Sequence, residues 1–305
     1  MIETYHFNDF QSVEDLLNCK QDTNASISVV IPARNEESTI GDIIETTCQL
    51  MDSTGLVDEI IVMDDASEDT TAKVAYNAGA QVVQVKNVGP SIKQRGKGVA
   101  LWKSQFIATG SILLFIDADL LDFDERFIIG PVGALLNHRH LELVKAAYRR
   151  PLTTGPTTLE DSGGRVTEIL IRPLLNLFLP DLADLGQPLA GEYAVRKYSL
   201  KNLHFYSGYG VEIGLLLEYY FNYGLDAIGQ VNVGSRAHRN RPLSELSSMS
   251  TELSQVFFNY LQQEGYCTFN NRYGTIIETS EHGGPKGTHN EMVRLPPKNR
   301  IVSYV

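Results

Sequence analysis

SILLFIDADL, residues 111–120, decides the fold. Its mostly branched apolar run is bounded by Gly110 before and by Asp117 and Asp119 after, which reads as a buried central strand of a parallel sheet. In open α/β sheets ligands sit outside the carboxyl ends of the strands. Two carboxylates one residue apart at such an end make a hard-oxygen site for Mg²⁺ or Mn²⁺, able to clamp the ion against a diphosphate. Taken alone, the dipeptide suits a cap of the following loop or helix equally well.

Upstream, the same strand-then-helix unit recurs. ISVVIPA (27–33) is a buried strand, after which Asn35, Glu36 and Glu37 start a helix carrying Ile40, Ile43, Ile44, Thr47, Cys48 and Met51 at helical spacing. EIIVMDD (59–65) is a second strand ending in acids, followed by a helix through Lys73 to Ala78, and QVVQV (81–85) is a third. This alternation predicts an α/β fold around a mostly parallel, Rossmann-like central sheet with flanking helices. No G-x-G-x-x-G or G-x-x-x-x-G-K-[ST] loop follows any of these strands, which disfavours a dinucleotide cofactor and P-loop chemistry.

Cations gather at three places. In KNVGPSIKQRGKGVALW (86–102), Lys93, Arg95 and Lys97 interleave with Gly89, Gly96 and Gly98, which suits a phosphate as well as a solvated loop. ELVKAAYRRP (142–151) is a strand ending in Arg149 and Arg150, and the following loop opens onto a helix at Gly163, Gly164 and Arg165, with Thr167 in the first turn. Free N–H groups, helix dipole and guanidinium converge there on an anion. GQPLAGEYAVR (186–196) is strand-like, and GYGVEIGLLLEYYF (208–221) leads into a helix whose Glu212 reads as an acid favourable to the helix dipole. A strand over DAIGQVNVG (226–234) then delivers SRAHRNRP (235–242), the densest basic cluster, with Arg236, His238, Arg239 and Arg241. A metal-bound diphosphate or phosphorylated substrate would account for that charge. Residues 243–265 read as one long helix, and the Gly-, Pro-, Asn- and Thr-rich tail from about Cys267 as loosely patterned and mobile.

The net charge of −11 over 305 residues argues against broad nucleic-acid binding, which needs a basic face, but not against a small phosphorylated ligand. Three widely spaced cysteines suit a reduced cytosol, with no disulfide expected. No apolar stretch approaches membrane-spanning length and the polar N-terminus lacks a signal pattern, so a cytoplasmic, unanchored protein is expected.

Together VVIPARNEE, VMDDASEDTT, RGKGVALW, FIDADL, GGRVTE, LAGEY, GYGVEIG and RAHRNRPL resemble, in order and spacing, the glucosyl-3-phosphoglycerate synthase family of retaining GT-A glycosyltransferases, from about Ile27 to Gly265. The resemblance implies a GT-A fold and transfer of glucose from UDP-glucose to the 2-hydroxyl of 3-phospho-D-glycerate. It implies that Pro32, Ala33 and Glu36 contact the uridine end of the donor, with Asp64 or Asp65 near the base, Lys97 on the diphosphate and Asp117 on the ribose or sugar. Asp119 and His238 would hold a divalent metal, Mg²⁺ or Mn²⁺. Gly164, Arg165, Thr167 and Asn240 would hold the acceptor, and Glu212 would lie beside the glucose, so that Asp119, Glu212 and Lys97 form the catalytic set. The expected division is an N-terminal extension (1–26), a nucleotide-sugar half (27–150), an acceptor half (151–266) and a tail (267–305), in a homodimer. The alternatives are mannosyl transfer from GDP-mannose and a non-catalytic nucleotide-sugar-binding protein.

Overall fold

The computed structural model describes residues 1–154, 157–159, 164–237, 243–268, 276–279, 285–288 and 293–301. Eight strands form the central sheet: β1 (Glu3–His6), β2 (Ile27–Ala33), β3 (Glu59–Asp64), β4 (Gln81–Gln84), β5 (Ile112–Phe115), β6 (Leu143–Arg149), β7 (Tyr193–Arg196) and β8 (Ile228–Ser235). Their order across the sheet is β1-β8-β6-β7-β5-β2-β3-β4. All neighbours run parallel except β7, which is antiparallel to both β5 and β6. As the apolar runs require, β5 is buried along its whole length and β2 over six of its seven residues, with helices packed on both faces.

Among the described residues the α-helices of seven residues or more are α1 (Val13–Asp22), α2 (Ile40–Thr54), α3 (Thr71–Asn77), α4 (Lys97–Ser104), α5 (Arg126–Asn137), α6 (Arg172–Phe178), α7 (Val211–Tyr223) and α8 (Leu243–Gln263). A π-helical turn, Thr167–Ile171, precedes α6. Helix α4 is buried from Gly98 onward, and the Lys103 Nζ donates to the Val85 carbonyl at 3.0 Å.

Two expectations change. Residues 1–26 are not a separate extension: β1 completes the sheet edge against β8, Ile2 and Phe10 are buried, and α1 packs on α5. Part of the tail is also docked. Arg294 and Leu295 pair with Phe205 and Tyr206, the Arg294 Nη2 donates to Glu218 at 2.6 Å, and the Trp102 indole donates to the Pro296 carbonyl at 2.8 Å. One sheet therefore runs through both halves of the chain, fed by strands on either side of residue 150.

The Phe10 ring lies so close to Gly133 that a Cβ there would stand 2.6 Å from the Phe10 Cβ. Phe10→Ala is therefore expected to destabilise the fold by about 3 kcal/mol, read by urea denaturation, because it empties a packed core position. A dispensable extension would show almost no change.

Candidate functional site

At the carboxyl edge of the sheet a cavity of about 490 Å³ opens between the ends of β2, β3, β5 and β6 and the starts of α4, α7 and the 165–178 helical segment. Pro32, Ala33, Glu36, Asp65, Lys97, Asp117, Asp119, Gly164, Arg165, Thr167 and Glu212, all expected from the sequence, line it together. His238 and Asn240 lie outside the described residues, as do Arg239 and Arg241.

One wall is made by two interlaced loops. The Asn35 N–H donates to Ser67 Oγ at 3.1 Å, the Glu68 N–H to Asn35 Oδ1 at 2.8 Å and the Glu36 N–H to Thr71 Oγ1 at 2.8 Å. Asn35 and Ala66 both take left-handed backbone, φ 57° and 59°. For alanine that conformation is costly and needs surrounding structure to hold it, a feature that concentrates at binding sites. The adjacent acids of β3 divide. Asp64 is buried and does not line the cavity; its carboxylate accepts from the Ser67 hydroxyl and the Gln84 amide, so its role is to shape the loop. Asp65 faces the cavity and accepts from the Gly96 N–H at 2.9 Å, which ties this wall to the start of α4.

The floor is a buried charge lattice. Lys97 is not a loop cation reaching outward. It is the first residue of α4, and its ammonium bridges Asp117 and Glu212, the latter at 2.5 Å. Burial opposes its charge, but the two carboxylates outweigh this and raise the Lys97 pKa well above its ordinary value. Burial likewise pushes the Asp117 carboxyl up, yet Lys97 and then Arg236 dominate and hold it down at about 2. Arg236 is buried and its Nη2 reaches Asp117 at 3.2 Å, Asp119 at 2.9 Å and Glu192 at 3.2 Å, with the guanidinium over the Tyr148 ring. Glu192 also accepts from the Tyr148 hydroxyl at 2.6 Å, and burial raises its carboxyl. Lys145 lies beneath, fully buried, its Nζ donating to the Ala190 carbonyl at 3.0 Å and sitting 4.6 Å from the Tyr193 ring centre. Burial lowers the Lys145 pKa to about 8.

Asp119 is partly exposed to the cavity and offers carboxylate oxygens, the donor type a hard divalent ion takes. Among the described residues no group of three His, Cys, Asp or Glu side chains gathers into a metal cage. A metal here would draw further ligands from a bound diphosphate, an arrangement the donor set fits, and from His238 if the family resemblance holds at that residue.

The opposite wall belongs to the helical segment that begins at Arg165. Gly164 precedes it with φ 70°, and the buried Thr167 opens the π-helical turn. Such turns are rare and recur at functional sites. Glu252, from α8, accepts from the Tyr209 N–H at 2.9 Å and closes the side near Glu212.

Arg236, Glu192, Lys145 and Arg150 received no individual role from the sequence. A signal was present for three of them. Lys145 in LVKAAY is a single charge inside an apolar strand, Glu192 in AGEYAV a single charge directly before one, and Arg236 follows a strand directly. Charges so placed are buried only when paired.

The model of Glycosyl transferase family 2 matches residues 28–140. The glucosyl-3-phosphoglycerate synthase of Petrotoga mobilis is 38% identical over 295 residues, 96% of this chain and 89% of that protein. The crystal structure of glucosyl-3-phosphoglycerate synthase from Mycobacterium tuberculosis with Mn²⁺, UDP-glucose and phosphoglyceric acid superposes with a TM-score of 0.85 at 38% identity, covering 98% of each chain. That enzyme has also been crystallised with Mg²⁺ and UDP. Mannosyl-3-phosphoglycerate synthase from Rubrobacter xylanophilus superposes with a TM-score of 0.89 at 34% identity, covering 99% of this chain and 98% of the other.

A pairing that lowers a carboxyl in the folded state stabilises it above the unfolded-state pKa and is lost as pH falls through the folded one. For Asp117 that window runs from the ordinary value of 3.8 down to about 2. Thermal melts of the parent and Asp117→Asn are therefore expected to differ by a constant gap above about pH 5 that closes only in the acid range below about pH 4. A gap that closed near neutrality would contradict the assignment.

Proposed function

The chain belongs to the glucosyl-3-phosphoglycerate synthase family, and on that premise we propose how its residues divide the work. It is a metal-dependent glycosyltransferase that moves glucose from UDP-glucose to 3-phosphoglycerate, with Mn²⁺ or Mg²⁺ as cofactor. The observation that carries the residue assignment is one cavity with a carboxylate edge between two differently built walls.

Pro32, Ala33, Glu36 and Asp65 hold the uridine, and Asp117 the ribose or sugar. Asp119, with His238, holds the metal, and Gly164, Arg165, Thr167 and Asn240 hold the acceptor. Glu212 lies beside the glucose. A bound divalent ion supplies charge stabilisation to the departing diphosphate. The chain's residues do the rest by positioning. Lys97 reaches the donor only indirectly: its ammonium is committed to Asp117 and Glu212 and fixes both.

That ion pair bears on the stereochemistry. A double displacement needs a carboxylate free to attack the anomeric carbon. Glu212 is buried and its Oε1 is held by Lys97. The geometry supports front-face substitution with retention. The acceptor 2-hydroxyl oxygen bonds to the anomeric carbon as the bond to the UDP oxygen breaks. The electron pair goes to UDP, and the hydroxyl proton passes to a phosphate oxygen of the leaving group.

Among the described residues no helix is long and apolar enough to cross a membrane. We assign the protein to the cytoplasm as a homodimer; the free cysteines suit a reducing compartment and the exposed Ile169 and Leu177 offer an apolar face to a second copy. Mannosyl transfer from GDP-mannose is the second reading, favoured by the Rubrobacter structure's likeness.

A panel of UDP-glucose and GDP-mannose against 3-phosphoglycerate, with and without metal, tests these assignments. Product from UDP-glucose is expected, and higher turnover with GDP-mannose would move the assignment. Chelation and Asp119→Asn should each reduce turnover at least about a hundredfold. Full activity after chelation would remove the metal role. Arg165→Ala should raise the acceptor KM steeply, by about 2 kcal/mol or more, with the UDP-glucose KM nearly unchanged. Equal effects on both substrates would reject an acceptor-specific Arg165.

A further inference from the structure

Arg150 stands between the two walls of the cavity. It follows the last residue of β6 and lines the cavity. A Cβ on Gly164 would lie 3.5 Å from the Arg150 Cδ, so its side chain passes beside the start of the acceptor helix. Its positive charge is also felt by Asp117, on the donor side. The Arg150 guanidinium carbon is 6.0 Å from the centre of the Tyr148 ring, and its Nε is buried without a hydrogen-bond acceptor among the described residues. The strand end that presents it is pinned on both sides: the Arg149 carbonyl accepts from the Arg236 N–H at 2.9 Å, and the Tyr148 carbonyl from the Gln187 amide at 3.1 Å. A guanidinium that lines a cavity and keeps an unpaired N–H is matched by an anion, and its planar fork fits a carboxylate.

The acceptor carries two anions. Its carboxylate carbon is bonded directly to the carbon bearing the attacking hydroxyl, while its phosphorus lies two further bonds out along the chain. With that hydroxyl at the donor sugar, the carboxylate is held next to the reacting carbon, whereas the phosphate can extend farther from it. Arg165 and the helix start stand on the acceptor wall, whereas Arg150 lies between that wall and Asp117. Resting on the reading that this cavity takes 3-phosphoglycerate, we propose that Arg150 binds the acceptor carboxylate while Arg165 and the helix start take the phosphate. Arg150 is thereby the residue that separates a phosphorylated hydroxy acid from a phosphorylated polyol.

Glycerol 3-phosphate keeps the 2-hydroxyl and the phosphate but has a hydroxymethyl group in place of the carboxylate. Calorimetry of both compounds, with UDP and Mn²⁺ present, on the parent, Arg150→Gln and Arg150→Lys tests the assignment. Arg150→Gln should weaken 3-phosphoglycerate binding about twentyfold or more and glycerol 3-phosphate by less than about threefold. Arg150→Lys, which keeps the charge without the fork, should show the same bias at a smaller size. If the glutamine variant fails to fold, the lysine variant carries the comparison. Equal weakening of both ligands would place Arg150 on the phosphate and overturn the proposal, as would no weakening of either. A parent that binds neither compound but still binds UDP would overturn the acceptor reading itself, and the proposal with it.

Discussion

The guanidinium of Arg236 is the interaction on which the site depends. It holds Asp117, Asp119 and Glu192 within 3.2 Å of one nitrogen, and those three carboxylates come from two different strand ends. The reversed strand β7 makes the meeting possible. Because Tyr193 at its start pairs with Phe115 at the end of β5, Glu192 arrives at the same edge as Asp117. A parallel strand in that place would have delivered its leading residue to the far edge of the sheet. Without the cation, like charges would be buried against one another, a condition that costs several kcal/mol. The cluster therefore fixes Asp119, which we propose as the metal ligand, in direction as well as in place.

Lys97 and Lys145 extend the same logic inward. The first joins Asp117 to Glu212, and the second lies under Tyr193 with its ammonium on the Ala190 carbonyl. The register of β6 against β7 sets Lys145 opposite Tyr193, so the deep cation is positioned by the same reversed strand. The acids that would face the sugar are thus clamped before any ligand binds. Preorganised charge of this kind does not have to reorient during the reaction, which is how a site with few mobile groups can still stabilise a departing diphosphate.

Much of the fold could be read from the chain because its central strands carry continuous apolar runs. ILLF, ISVVIPA and EIIVMD each read as buried strands, and each ended near where the chemistry was expected. Periodicity could not show direction, so the reversal of β7 was invisible, as was the use of Glu3–His6 to finish the sheet. At the site, the acids at strand ends and the Gly164–Arg165 helix start stood out because their residue types are unusual for those positions. Asp64 and Asp65 could not be told apart, since adjacent strand residues point to opposite faces and only the neighbours Gln84 and Gly96 decide which is which. Lys97 looked like a loop cation because glycines surround it. Its partners Asp117 and Glu212 are 20 and 115 residues away in sequence, and no local pattern reports a contact of that range.

The charges also explain how an acidic chain can bind anions. Four carboxylates, Asp117, Asp119, Glu192 and Glu212, meet three cations, the half-buried Lys97 and the buried Lys145 and Arg236. Formally this inner layer is short of one positive charge, which favours a metal cation beside Asp119 over a bare phosphate. Arg34, Arg95, Arg150 and Arg165 line the same cavity as the acids. These guanidinium groups act on a ligand in the cleft, and the low-dielectric walls strengthen their field locally against the overall charge of −11. Anion recognition and cation recognition therefore fall to different side chains of one cavity. On the proposed assignment a metal-bound diphosphate would meet both the acids, through the metal, and the guanidinium groups, whereas a free phosphate would meet only the latter.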